Sequence, residues 1–273
     1  MIQLLALDLD DTLLRADLTI SERNRDALRR AEEQGVRIVL ASGRSVAAME
    51  RFAQELGMFD RPGYMISDNG ATVSATLPRA ILLQHHIERP LFRKLLDTFE
   101  VLDLPVQVYQ DRTILVTKEN PITGTDMKLS GFDRRVVADL DAYLAECPNK
   151  LVIPGDPEVL PTALDLIRRS FGSHVNAFIS KPYFLEVLPA EADKGTALRY
   201  VAQNLGIAPA HVMAMGDAAN DLGMIRYAGW GVAMANGIDT VKQAARIISV
   251  ATHEDDAVAE IVDRYVLSSG FSP

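Results

Sequence analysis

Apolar and polar positions alternate in two different ways along the chain. From Ile2 to Leu7 only Gln3 interrupts an apolar run, which then ends in Asp8, Asp10 and Asp11 before Thr12, Leu13 and Leu14. Short continuous apolar runs bounded by polar residues suit strands covered on both faces, as in a parallel sheet flanked by helices. Residues 36–45 repeat the form, stopping at the polar turn Ser42-Gly43-Arg44, and 64–67 repeat it again before Asp68-Asn69-Gly70, whose Asn-Gly pair marks a turn. Between these runs the spacing turns helical. Ser21 is placed to cap a helix reaching Glu33 with Gly35 just beyond it, and a second helix is predicted over 46–56. Strand, helix, strand, helix with short connections is the order of a right-handed parallel α/β sheet. Residues 72–74 and 80–85 read as a hairpin.

The texture changes near residue 84. A helix over 91–101 is followed by short strand candidates at 106–109 and 113–117, joined in hairpin fashion by Asp111-Arg112. A strand at 151–154, a helix over 157–171 and paired strands at 175–180 and 183–187 continue a mixed, antiparallel pattern. It reads as an inserted α+β block. After Pro189 the parallel texture returns, with a helix over 194–204 and a strand over 211–216 that ends in Gly216-Asp217-Ala218-Ala219-Asn220-Asp221. Strands at 229–234 and 246–249, a helix between them starting near 238, a last helix over 254–267 and a loose tail, 268–273, complete the prediction. The expected class is therefore α/β, with a parallel-sheet domain interrupted by a second domain.

Length and composition narrow the function. At 273 residues, 48% of them hydrophobic, the chain can fill one large or two modest domains. A net charge of −9 argues against a nucleic-acid or anionic membrane surface, which would need basic patches. It does not exclude phosphate esters, because a metal and one or two placed cations hold a small anion locally. Cys147 is the only cysteine, so no internal disulfide and no cysteine metal cluster can form, which fits a reducing compartment. The N-terminus lacks a basic region before its short apolar run, and no run reaches the roughly 18 residues of a membrane span. A cytoplasmic protein is expected, with nothing to separate monomer from homodimer.

Four polar signals stand in order: Asp8-x-Asp10, Ser42-Gly43, Lys194, and Gly216-Asp217-x-x-Asn220-Asp221. Carboxylates at the carboxyl end of a buried strand lie where open α/β sheets bind ligands. Three of them within four residues repel one another unless a cation sits among them, and all-oxygen donors suit magnesium. The plain alternative is an acidic surface turn. Ser42 and Gly43 could hold a phosphate oxygen or could simply turn the chain into a helix. Lys194, beside Asp193, taken alone reads as a solvated surface residue, and Asn220 and Asp221 could be helix caps. Thr12 is expected to stabilise its turn, and Arg44 to meet either substrate or an acidic neighbour. The methionines at 213, 215, 224 and 234 read as core filler.

The ordered set closely resembles the haloacid dehalogenase superfamily of phosphohydrolases, in particular its Cof-type members. DLDDTLL, LASGRS, DNGA, LEVLPAEADKGTAL, MGDAANDLGMI and GVAMANG each match a family segment in family order, over nearly the whole chain. The resemblance implies a Rossmann-like core from 1–83 and 188–273 and an α+β cap from 84–187 that closes over the site and chooses the leaving group. It implies that Asp8 is the nucleophile, forming an aspartyl-phosphate, and Asp10 the general acid and base. Magnesium would be held by Asp8, the Asp10 carbonyl and Asp217, with Asp221 ordering the metal shell; Leu9, Ser42, Gly43, Lys194 and Asn220 would hold the phosphoryl group. A free Asp is ionised at neutral pH, so Asp8 needs no base, whereas Asp10 must be kept protonated by burial or neighbouring carboxylates. The expected substrates are small phosphorylated metabolites, sugar phosphates first. A phosphomutase with the same covalent intermediate and a non-catalytic sensor are the rivals. Asp11, where many relatives carry Gly, Ala192-Asp193, and Asn236-Gly237 depart from the usual pattern and bear on substrate preference rather than on the catalytic groups.

Overall fold

A computed structural model describes residues 1–268, apart from the side chain of Leu129. The chain contains strands β1 (Leu4–Asp8), β2 (Arg37–Ala41), β3 (Tyr64–Ser67), β4 (Thr72–Thr76), β5 (Arg79–Gln84), β6 (Gln107–Gln110) and β7 (Thr113–Val116). These are followed by β8 (Asp133–Val136), β9 (Leu151–Pro154), β10 (Val175–Lys181), β11 (Phe184–Pro189), β12 (Val212–Gly216), β13 (Trp230–Ala233) and β14 (Ile247–Ile248). Its helices are α1 (Glu22–Glu33), α2 (Val46–Glu55), α3 (Arg89–Val101), α4 (Thr125–Ser130), α5 (Leu140–Tyr143), α6 (Leu160–Phe171), α7 (Lys194–Asn204), α8 (Leu222–Tyr227), α9 (Asp239–Ala244) and α10 (Ala257–Val262). They form two compact units, one of residues 1–83 and 193–268 and the other of Gln84–Ala192.

The first unit is an α/β sheet in the order β14-β13-β12-β1-β2-β3-β4-β5. All pairs from β14 to β3 are parallel, and β4 runs antiparallel to β3. β1 is central, and each of its residues is buried, which is why its run carries no alternation. Leu5 and Leu7 pack on one face with α1 and α10, while Leu4 and Ala6 pack on the other with α7. The four methionines at 213, 215, 224 and 234 are buried in these layers. Parallel pairing aligns the carboxyl ends of β1, β2, β3 and β12, so their following turns share one edge.

Local chemistry sets the element ends. Ser21 Oγ accepts from Asn24 N at 3.0 Å, α1 buries Ala27, Leu28 and Ala31, and Gly35 follows with φ 88°. Asp193 caps α7 by accepting from Thr196 N at 2.7 Å, so Lys194 is the first residue of that helix. The expected helix over 254–267 begins later, at Ala257, because Asp256 takes the left-handed conformation (φ 65°) and breaks it; beyond Val262 the chain continues as a π-helical turn, Asp263–Leu267. The expected loose tail lies, from residue 269 onward, outside the described residues.

The second unit holds a six-stranded sheet, β10-β11-β9-β6-β7-β8, antiparallel except for the β7–β8 pair. Helices α3 and α6 cover one face through Phe92, Leu95, Phe99, Leu160, Ala163 and Ile167, against Val108, Leu115, Leu151, Ile153, Leu185 and Val187. Elements α4, β8 and α5 are additions to the expected pattern.

α7 and α8 approach so closely that a Cβ placed on Gly195 would stand 2.2 Å from the carbonyl carbon of Gly223. Backbone cannot yield as a side chain can. Gly195→Ala is expected to lower unfolding stability by about 3 kcal/mol, the upper range for overpacking. Urea denaturation reads this directly, and a loss below about 1 kcal/mol would show that the two helices separate freely.

Candidate active site

The aligned turns bring Asp8, Lys194, Asp217 and Asp221 together although they are far apart in sequence. Asp8 ends β1, Asp217 and Asp221 follow β12, and Lys194 opens α7. Lys194 is fully buried, and its Nζ donates to Asp8 Oδ1 at 2.6 Å and to Asp221 Oδ1 at 2.7 Å. The plain reading of Lys194 as a solvated surface residue therefore does not hold. Asp221 is engaged on its other side too, since Oδ2 accepts from the amides of Asp217 and Ala218, each at 3.0 Å. Thr12 Oγ1 donates to Asp217 Oδ1 at 3.1 Å, so it holds a carboxylate besides its own turn. The turn itself is made by Leu9 O, which accepts from Leu13 N and Leu14 N, and by Asp11 at φ 59°. Asp11 thus adopts the conformation for which Gly is the easiest choice.

Carboxylate oxygens of Asp8, Asp217 and Asp221 lie within 4.8 Å of one another. When all three are ionised, Lys194 leaves a surplus of two negative charges. A hard divalent cation with oxygen ligands, such as magnesium, fits both this donor set and this charge. The crowding is visible in the protonation equilibria. Burial, then the Asp221 charge, raises the pKa of Asp8 well above the usual carboxylate range, against the pull of Lys194. Asp217 is pushed up to about 7 by burial and by Asp221, opposed by the Thr12 hydrogen bond. Burial thus works against the ionisation expected of a free Asp8 side chain, and Lys194 works for it. Lys194 is held above its ordinary value, because Asp221 and Asp8 outweigh the effect of its burial.

Asp10 stands apart from this cluster. Both of its oxygens are held by Arg44, Nε to Oδ2 at 2.9 Å and Nη2 to Oδ1 at 2.6 Å. This is a fork-to-fork pair, the strong geometry for guanidinium and carboxylate.

Ser42 is buried at the end of β2, and its Oγ accepts from Arg44 N at 3.2 Å. Asn220 Nδ2 donates to Asn69 Oδ1 at 2.9 Å. Asn69, read in sequence only as part of a turn, links the other two loops: its own amide donates to Ser42 O at 3.0 Å, and a Cβ on Gly43 would lie 3.0 Å from its Nδ2. Asp68, Asn69 and Gly70 have φ of 50°, 53° and 97°, a run of left-handed residues that Asp, Asn and Gly tolerate best. The sequence signals for Asn69 were that composition and the DNGA segment. Thr12 carried no signal for Asp217, whereas Arg44 meets an acidic neighbour, one of its two expected partners.

The family model of haloacid dehalogenase-like hydrolases matches residues 5–262. The chain belongs to this family. It is a Cof-type member. It is similar to the Bacillus subtilis protein YxeH, 33% identical over 98% of this chain and 100% of that one. The 5-amino-6-(5-phospho-D-ribitylamino)uracil phosphatase YitU of the same organism is 29% identical, with 96% of this chain and 97% of that one covered. Among solved structures, a haloacid dehalogenase-like hydrolase from Bacteroides thetaiotaomicron superposes with a TM-score of 0.90 at 32% identity, covering 97% of this chain and 99% of that chain. The site therefore sits on a haloacid dehalogenase fold, at the sheet edge where the aligned turns meet.

The raised pKa of Asp217 has a measurable sign. Between about pH 4 and pH 7 the folded hydrolase keeps a proton that the unfolded chain releases, so this contribution to stability is full at low pH and is lost as pH rises toward 7. A divalent cation held there would take the place of the proton. The magnesium-induced rise in Tm should therefore be larger at pH 8 than at pH 5, and Asp217→Asn should flatten that difference. An equal rise at both pH values would contradict the assignment.

Proposed function

We propose that this haloacid dehalogenase-like phosphatase is magnesium-dependent and hydrolyses small phosphorylated metabolites, sugar and polyol phosphates first, through an aspartyl-phosphate on Asp8. The observation that carries the reading is the buried Lys194 ammonium seated between Asp8 and Asp221 at 2.6 and 2.7 Å. A surface ion pair needs no such burial. The YitU relative acts on a phosphorylated ribityl compound by its name, which supports the substrate class.

Asp8 attacks phosphorus in line, the bond from phosphorus to the ester oxygen breaks, and Asp10 gives its proton to the departing alkoxide. Water then attacks the phosphoryl group on Asp8 while Asp10 takes its proton, and Asp8 and inorganic phosphate are released. Lys194 orients Asp8 and favours its ionised form. Ser42, Lys194 and Asn220, with the backbone at Leu9 and Gly43, hold the phosphoryl oxygens. For its first role Asp10 must acquire a proton, so its pair with Arg44 has to part when substrate binds. Asp8, Asp217 and the Asp10 carbonyl would hold magnesium, with Asp221 as support because both of its oxygens are already engaged. When bound, the ion would offset charge between nucleophile and phosphate. The second unit selects the leaving group, and the working compartment is the cytoplasm.

Phosphate release from a panel of sugar phosphates, nucleotides and cofactor phosphates tests the proposal. Release should require magnesium and fall by at least about a thousandfold in Asp8→Asn, the scale on which removing a nucleophile acts. Binding without release by the wild type, or full release without magnesium, would overturn it.

A further inference from the structure

Asp11 and Asn236-Gly237, two of the departures from the family pattern, meet at the turn that follows the nucleophile. Beyond β13 the chain runs against the turn after β12, where Gly216 O accepts from Met234 N at 3.1 Å and Asp217 O from Ile238 N at 2.9 Å. Gly237 is tight against it: a Cβ there would stand 3.0 Å from Met234 O and 3.1 Å from Asp217 Cα. This course brings Asn236 to the turn after β1. Its Nδ2 donates to Asp11 O at 2.8 Å, and its Oδ1 accepts from His253 N at 3.1 Å. One partner is a carbonyl and the other an N–H, so the direction of the Asn236 amide is fixed.

The segment that starts at His253 holds the far end of the nucleophile turn as well. Glu254 Oε1 accepts from Ala16 N at 2.7 Å, and Arg15 Nη2 donates to Asp256 Oδ1 at 3.1 Å. Asp11 is the residue of this turn that most needs holding. Its φ of 59° is one that a side chain adopts only at a cost, and such conformations persist where the surroundings over-determine them. On its other side the turn is closed by its own backbone, through Leu9 O with Leu13 N and Leu14 N, and through a bridge from Asp10 to Leu14. Asp10 lies between these anchors. Its side chain is bound to Arg44 and has to leave that pair to act as an acid, so the side chain moves while its backbone must stay. Proton transfer depends on where the acid arrives, and a misplacement on the order of 1 Å costs up to about a hundredfold.

We propose that Asn236 is a positioning residue for the acid-base step: by tying the Asp11 carbonyl to the loop that lies against Asp217, it sets the backbone from which Asp10 reaches the ester oxygen. The inference rests on the proposed function and deepens it, by giving the placement of Asp10 to a residue that touches neither substrate nor metal. An alkoxide leaves only with a proton, whereas p-nitrophenolate leaves without one. Loss of the Asn236 donor is therefore felt by a sugar phosphate and scarcely by an aryl phosphate.

The test compares these two esters. The ratio kcat/KM covers only the first displacement, in which the leaving group departs, and it is measured for p-nitrophenyl phosphate and for the sugar phosphate of the panel that is turned over fastest. Asn236→Asp keeps the shape and the acceptor for His253 N, but puts an acceptor where the donor faced Asp11 O. Its kcat/KM is expected to fall by about tenfold or more for the sugar phosphate and by less than about threefold for the aryl ester. The added charge acts on both phosphate dianions alike, and Asn236→Ala, which adds none, should show the same disparity. Asn236 is exposed, so neither variant disturbs the core, and the Tm of each confirms that it is folded. Equal losses for the two esters, or none, overturn the assignment. Asp10→Asn separates this failure from that of the reading beneath it: a disparity in Asp10→Asn with none in the Asn236 variants refutes the role of Asn236 alone, and equal losses in Asp10→Asn overturn Asp10 as the acid and the proposal with it.

Discussion

A buried ammonium held between two carboxylates is the interaction on which the rest of the site depends. Lys194 could not be taken out of water without Asp8 and Asp221, because an unpaired ion in a protein interior is among the most costly groups a fold can contain. One carboxylate ends β1 and the other follows β12, its neighbour in the parallel sheet, and the lysine comes from the first turn of α7. Each requirement on the fold follows from that. β1 and β12 must pair in register, α7 must start at residue 194, and Gly195 must lack a side chain so that α7 can lie against α8. Removing one partner would leave the others as uncompensated buried charge.

The same arrangement explains why the site remains incompletely balanced by its own residues. One lysine faces three carboxylates, and the outcome is a raised pKa at Asp8 and at Asp217. A site built for stability alone would have replaced one carboxylate. Retaining all three makes sense if a divalent cation completes the charge. Arg44 adds a second layer by holding Asp10 through both oxygens, while Asp8, two positions away, is held by Lys194.

The parts of the fold that were legible in the sequence are those where burial leaves a plain mark. β1, β2, β3 and β12 are covered on both faces and read as apolar runs, and α1 and α7 announce themselves through Ser21, Gly35 and Asp193. Residues 118–150 were not legible. α4 has six residues and α5 four, too few for a helical period, and β8 is polar and largely exposed, so neither pattern nor composition distinguishes it from a loop. At the site, the motif order pointed to Asp8, Asp10, Ser42, Gly43, Lys194, Asp217, Asn220 and Asp221, and of the two partners open to Arg44, substrate or an acidic neighbour, the structure shows the neighbour, Asp10. It did not point to the Thr12–Asp217 or Asn69–Asn220 contacts, which long-range packing sets: Thr12 and Asp217 are 205 positions apart, and Asn69 and Asn220 are 151. A free side chain likewise says nothing of the burial that raises the pKa of Asp8, since burial belongs to the fold and not to the residue.

The claim that most needs a direct measurement is the covalent role of Asp8. The steric course at phosphorus supplies it, using a sugar phosphate ester made chiral with oxygen isotopes and turned over in the presence of magnesium. Two in-line displacements, first by Asp8 and then by water, return the configuration of the starting ester, so the account predicts overall retention. Overall inversion would mean that water attacks the substrate directly, and it would contradict the account at its centre.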